Sequence, residues 1–165
     1  MKVFSTPRLD AREAEERDID WIISVEKDPE NNRFIWLGTP EQHLKEIKGE
    51  STHLLVFEDK NGDKVGYCLS ESHPFRTFEL RRIAITKKGK GYGKEAMKGM
   101  FDYAFNQCHA HRLWLDVYPD NKIGIQLYES LGMHRDGELR DSYLSEDGEF
   151  RNQIIYSLLA PEWKK

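Results

Sequence analysis

The chain has little cysteine, no long apolar run and no excess of positive charge. Two cysteines, Cys68 and Cys108, occur in 165 residues. They are too few for a zinc site, and both fall in apolar-patterned segments. They read as buried thiols rather than a disulfide, which points to a reducing compartment and a cytoplasmic location. No apolar stretch approaches the roughly 20 residues of a membrane span, and the first residues show no signal-peptide core. A formal net charge of -4 argues against a general nucleic-acid binder. No repeat, low-complexity stretch or linker interrupts the sequence. With 33% charged and 38% apolar residues, positions 1–165 read as one domain able to bury its own core.

What the chain does have is a loop, Lys87-Lys88-Gly89-Lys90-Gly91-Tyr92-Gly93-Lys94. It follows a strand-like run, Phe78 to Ile85, and opens a helix-like run, Glu95 to Cys108. Glycines let the backbone turn so that several amides converge, and a helix N-terminus behind them adds unpaired N–H groups and partial positive charge. The pattern predicts a phosphate cradle, in particular one for a pyrophosphate. Dinucleotide spacing fails because the sixth place from Gly89 is Lys94. The nucleotide-triphosphate loop fails because Gly93-Lys94 is followed by Glu95.

The remaining segments give the element order. Arg8 to Arg12 reads as a strand and Asp18 to Glu26 as a helix with Ile19, Ile22 and Ile23 on its buried stripe. Asp28 to Asn32 breaks that helix. Thr39, Pro40 and Gln42 form a capping box for a second helix, which Gly49 ends. His53 to Phe57 and Lys64 to Ser70 form a hairpin around Asn61-Gly62. In the helix after the glycine loop, Ala96, Met97, Met100, Phe101, Ala104, Phe105 and Cys108 make a core stripe. Arg112 to Tyr118 is a strand parallel to Phe78 to Ile85. Asn121 to Leu131 is a helix ended by Gly132. Leu139 to Leu144 and Phe150 to Leu159 are strands joined at Glu146-Asp147-Gly148. The expected fold is α/β, a central mixed sheet with one parallel βαβ unit and helices on both faces.

The loop follows the pattern Gln/Arg-x-x-Gly-x-Gly/Ala with Lys88 standing where the pattern has Gln or Arg, and with Gly91 and Gly93 as its glycines. About thirty residues on, Asn121-Lys-Ile-Gly-Ile-Gln-Leu-Tyr128-Glu-Ser-Leu-Gly132-Met133 supplies an Asn, a Leu-Tyr seven residues later and a Gly-Met. Both segments resemble the GCN5-related N-acetyltransferases. The C-terminal run from Gly137 to Trp163 is similar to the branch with ribosomal-protein alanine and spermidine N-acetyltransferases. The chain departs from the family in having no proline, and few residues, between strand and loop.

The resemblance implies a mostly antiparallel sheet in a single N-acetyltransferase domain, and transfer of acetyl from acetyl-CoA to a primary amine in a ternary complex. The acceptor is a protein N-terminus, a polyamine or another small amine. The alternatives are an inactive acyl-CoA-sensing module and a transferase for a larger acyl group. It further implies that backbone groups of Ile83, Ala84 and Ile85 hold the pantetheine arm. The amides of Gly89, Lys90, Gly91, Tyr92, Gly93 and Lys94 take the pyrophosphate, with charge from Lys88, Lys90 and Lys94. Tyr128 matches the family's general acid, and a phenol can give a proton to a thiolate. Asn121, two turns earlier, caps the helix or meets the pantetheine. Glu79 is the expected base, with Asp116 as competitor or a water chain instead. Asn31, Arg33, Phe34 and Trp36, with Tyr143, are expected to line the acceptor pocket. His109 and His111 lack a third ligand, so no metal is expected. A homodimer is compatible with this reading; nucleic acid and membrane are not expected partners.

Overall fold

The structure, a computed structural model, describes residues 1–32 and 37–163. Among them, eight strands form one sheet in the order β1-β2-β3-β4-β5-β6-β8-β7. They are β1 (Lys2–Ser5), β2 (Leu9–Glu13), β3 (Thr52–Asp59), β4 (Lys64–His73), β5 (Thr77–Ile85), β6 (Arg112–Val117), β7 (His134–Leu144) and β8 (Phe150–Leu159). The helices are α1 (Ile19–Lys27), α2 (Pro29–Asn32), α3 (Pro40–Lys48), α4 (Tyr92–Asp102), α5 (Lys122–Ser130) and α6 (Ala160–Trp163). All neighbouring strands run antiparallel except β5 and β6. The parallel pair arises because α4 carries the chain over the sheet between them. The mixed α/β fold expected from the sequence is the one observed. No helix among the described residues is long and apolar enough to cross a membrane.

Strand alternation divides the core between the two faces. Leu55 and Phe57 of β3 pack with Met97, Met100 and Phe101 of α4 and Tyr128 of α5. Leu54 and Val56, the intervening residues, pack with Ile22 and Val25 of α1. Each face is therefore covered by its own helices. Cys68 is buried and Cys108 half-buried, both as free thiols.

β5 carries the feature that opens the sheet. Opposite β4, Leu69 pairs with Arg82 and Ser70 with Leu80, so Arg81 is an extra residue, a β-bulge. The bulge reverses the side-chain phase. Phe78 and Leu80 before it, and Ile83 and Ile85 after it, all face the α4–α5 side. Ala84 faces α1. β5 and β6 pair only at Thr77–Arg112, Phe78–Leu113 and Glu79–Trp114. Beyond Glu79 they part, while β6 stays paired to β8 as far as Val117.

Several boundaries differ from the sequence reading. β1, too short and mixed to show a period, pairs with β2 at the sheet edge. The breaker at Pro29 is itself one helical turn, α2. α4 starts at Tyr92, not Glu95, because Gly91 takes a left-handed φ of 76° and the helix begins at once. Its last part continues as a π-turn, Tyr103–Gln107. On α1, Ile23 is only half-buried, while Glu26 is buried. β7 starts at His134, five residues earlier than expected.

The capping box of α3 forms as read. Thr39 Oγ1 accepts from the Gln42 amide at 3.2 Å, and Gln42 Oε1 accepts from the Thr39 amide at 2.9 Å. Thr39→Ala should lower stability by about 1 kcal/mol, measured as the shift in urea midpoint at unchanged slope. No shift would mean that α3 is held by its packing alone.

Candidate active site

A cavity of about 680 Å³ opens where β5 leaves β6. One wall is Ile83, Ala84 and Ile85; the opposite wall is Asn121, Leu127 and Tyr128 of α5. Backbone hydrogen bonding alternates along a strand. The Thr86 amide bonds the Val65 carbonyl of β4 at 2.8 Å. Ile83 and Ile85, one and three residues back, therefore turn their amides and carbonyls toward the gap. A thread-like polar ligand could add to β5 there as a surrogate strand.

The glycine loop closes one end. Gly89 and Gly91 have φ values of 78° and 76°, where a side chain would be strained. The first backbone bond of α4 is Glu95 N–H to the Gly91 carbonyl at 3.2 Å. The amides of Tyr92, Gly93 and Lys94 precede it and have no helical acceptor, which suits an anion. A Cβ at Gly93 would meet nothing closer than Leu127 and Ile85 at 3.8 and 3.9 Å. No tight internal contact demands glycine there, whereas close approach of a ligand would.

A clamp that the sequence reading missed holds the loop from behind. Arg8 Nε donates to Glu95 Oε1 at 2.7 Å, the Arg8 amide donates to Glu95 Oε2 at 2.7 Å, and Arg8 Nη1 donates to the Lys90 carbonyl at 2.7 Å. The guanidinium also lies 4.6 Å from the Tyr92 ring centre. Burial would raise the Glu95 carboxyl, but hydrogen bonds from Thr6 and Arg8 hold it below its ordinary value.

The loop lysines divide. Lys88 Nζ crosses the cavity rim to Asn31 Oδ1 at 3.1 Å and to the Ile85 carbonyl at 3.0 Å. Lys87 pairs outward with Asp59 and Asp63. Lys90 is exposed. Lys94 lines a neighbouring groove with Lys98 and Ser130.

Asn121 caps α5: its Oδ1 accepts from the Gly124 amide at 3.0 Å. A Cβ at Gly124 would lie 2.8 Å from Asn121 Nδ2, so glycine is needed for that cap. Tyr128 is buried in the cavity wall. Burial first, and the nearby charge of Asp116 second, push its phenol up to about 12.

Glu79 is on the other face of the sheet. Its Oε1 is 2.9 Å from His73 Nε2, and its Oε2 is 3.8 Å from Arg81 Nε. Arg81 also reaches Glu71 at 3.4 Å. Glu71, His73 and Glu79 are close enough to offer ligand atoms to one cation. Asp116 lies near enough to feel Glu79; desolvation first, and that negative charge second, raise its carboxyl above the ordinary value.

Of the residues expected in an acceptor pocket, Asn31 lies in the wall of the 680 Å³ cavity, buried, with its Nδ2 on the Val25 carbonyl at 3.1 Å. Tyr143 on β7 packs its ring 5.5 Å from that of Tyr118. Arg33, Phe34 and Trp36 lie outside the described residues.

Residues 8–134 match the family model described as an acetyltransferase (GNAT) domain. The chain is 25% identical over 151 residues to the spermidine N(1)-acetyltransferase of Vibrio cholerae, covering 82% of this chain and 84% of the relative. It is 33% identical over 76 residues to the ribosomal protein uS5-alanine N-acetyltransferase of Escherichia coli, covering 46% and 39%. In fold it is similar to the Vibrio cholerae spermidine N-acetyltransferase solved with CoA and spermine, with a TM-score of 0.84, 21% identity, and 96% and 99% of the two chains covered.

Removing the clamp tests how the loop is held. Glu95→Ala should cost about 1 kcal/mol of stability, a modest figure because Arg8 is half exposed. It should weaken acetyl-CoA binding about tenfold by calorimetry. Unchanged affinity would mean that the loop keeps its shape without the Arg8–Glu95 pair.

Proposed function

We propose, for a chain that belongs to the GNAT acetyltransferase family and is an N-acetyltransferase, that it transfers acetyl from acetyl-CoA to the primary amine of a polyamine or similar cationic small molecule. The family match supports acetyl transfer to an amine. The finer reading rests on one arrangement: the parted strands have a cavity on one side and a group of carboxylates, Glu71, Glu79 and Asp116, associated with the other.

The cavity residues suit coenzyme A. The unpaired amides of Tyr92, Gly93 and Lys94 would take the pyrophosphate, and the backbone of Ile83 and Ile85 the two pantetheine amides. A backbone N–H at the thioester carbonyl would stabilise the oxyanion that forms there. Lys88, already at the rim, adds one positive charge.

In the reaction the amine nitrogen forms a bond to the acetyl carbon, the carbon–sulfur bond breaks, and the amine loses a proton as the thiolate gains one. In this reading Glu79 receives the amine proton, directly or through water. Tyr128 gives its proton to the sulfur. Its high pKa keeps the phenol protonated through the physiological range, so it is available as the acid at every turnover. Holding both substrates at the gap supplies much of the remaining acceleration. Arg81 offsets part of the negative charge, leaving the carboxylate group suited to a cation rather than to a neutral amine alone. The named activity of the Vibrio cholerae relative is in keeping with a polyamine.

Release of free thiol with spermidine, and with a peptide bearing an alanine N-terminus, tests the acceptor. Tyr128→Phe should lower kcat by about 100-fold or more with acetyl-CoA affinity within about threefold. Unchanged kcat would remove Tyr128 as the acid, and turnover confined to the peptide would remove the polyamine reading.

A further inference from the structure

Beneath α1 and α3, on the same sheet face as Glu79, lies an ionic cluster centred on a fully buried carboxylate. Glu26 of α1 has no exposed surface. Its Oε1 lies 3.0 Å from His43 Nε2 and accepts from the Gly38 amide at 3.1 Å. Its Oε2 accepts from Arg82 Nη1 at 2.8 Å and from the Tyr67 hydroxyl. His43 Nδ1 lies 2.7 Å from Glu46, and Arg82 Nη2 lies 3.5 Å from the same carboxylate. Burial would lower the His43 pKa, but the hydrogen bonds to Glu26 and Glu46 outweigh it and raise it to about 9. Among the described residues, two carboxylates thus face an imidazolium and a guanidinium.

A buried ionic cluster is a poor source of net stability, since desolvating the charges offsets most of their attraction. What this one joins is more telling. Arg82 is the residue after the bulge and directly precedes Ile83, the start of the cavity wall. Gly38 stands at the entry to α3. It must be glycine, because a Cβ there would lie 2.6 Å from His43 Nε2. One carboxylate therefore holds the backbone entering α3 and the strand beside the bulge.

We propose that Glu26, with His43 and Arg82, is a positioning centre for acetyl transfer: it fixes Gly38, at the entry to α3, against the bulged strand, and so sets where the amine meets the thioester. None of the three is proposed to touch the reacting atoms. The inference rests on the reading that the amine enters on the Glu79 face.

Glu26→Gln keeps the size and removes the negative charge that faces His43 and Arg82. With spermidine as the amine, kcat/KM should fall at least tenfold while the dissociation constant of acetyl-CoA stays within twofold. The double variant Glu26→Gln/His43→Gln removes the imidazolium charge as well and should recover most of the loss. Amide exchange should quicken both at Gly38 and along residues 82–85. A fall in melting temperature with wild-type kcat/KM in the folded enzyme would overturn the proposal, as would an equal loss of acetyl-CoA affinity. Should Glu26→Gln not fold, His43→Gln is read by the same criteria. If the wild-type enzyme does not acetylate spermidine, the polyamine reading fails, and exchange still decides this one: quickening at Gly38 without residues 82–85 would overturn it.

Discussion

One extra residue in β5 governs the rest of the molecule. Without the bulge at Arg81, β5 would continue beside β6, every backbone group between them would be paired, and no cavity would open in the sheet. With it, the strands share only three paired positions before they part. The same residue reverses the side-chain phase, so Ile83 and Ile85 still pack against the core while their backbone groups turn to the gap. A sheet that both buries its apolar face and offers free amides to a ligand follows from that single insertion.

The surroundings of the gap are built from opposite electrostatic devices. On the α4 side, attraction for an anion comes mostly from the backbone: unpaired helix amides and left-handed glycines, with Lys88 as an accessory charge. The amides carry no desolvation penalty comparable to that of a buried ammonium. On the α1 side, full charges are used, but they are either paired with one another, as at Glu26, or left half-exposed in a group with excess negative charge. In the proposed reaction, the polyanionic coenzyme and a cationic acceptor would approach from opposite sides of one opening.

Much of this was legible in the residues. The glycine loop, the Asn121–Tyr128 spacing and the capping box at Thr39 are local patterns, and each adopts the geometry its spacing implies. The bulge also left a trace that could have been read: the apolar alternation Phe78, Leu80 skips a place before resuming at Ile83, Ile85. The start of α4 was hidden because glycine is a poor helix former, and Gly93 lies inside the first turn. The Arg8–Glu95 clamp joins residues 87 positions apart, and nothing local to either marks the other. Glu26 reads as the polar end of an amphipathic helix. Its burial depends on Gly38, His43, Tyr67 and Arg82 arriving from four other places in the chain.

Amide hydrogen exchange of the wild-type protein with and without acetyl-CoA tests the central claim most directly. The account predicts that acetyl-CoA slows exchange at Tyr92, Gly93 and Lys94 and at Ile83 and Ile85, with β2 and β3 unchanged. Protection confined to other segments, with the glycine loop and the bulged strand exchanging as in the free protein, would contradict it.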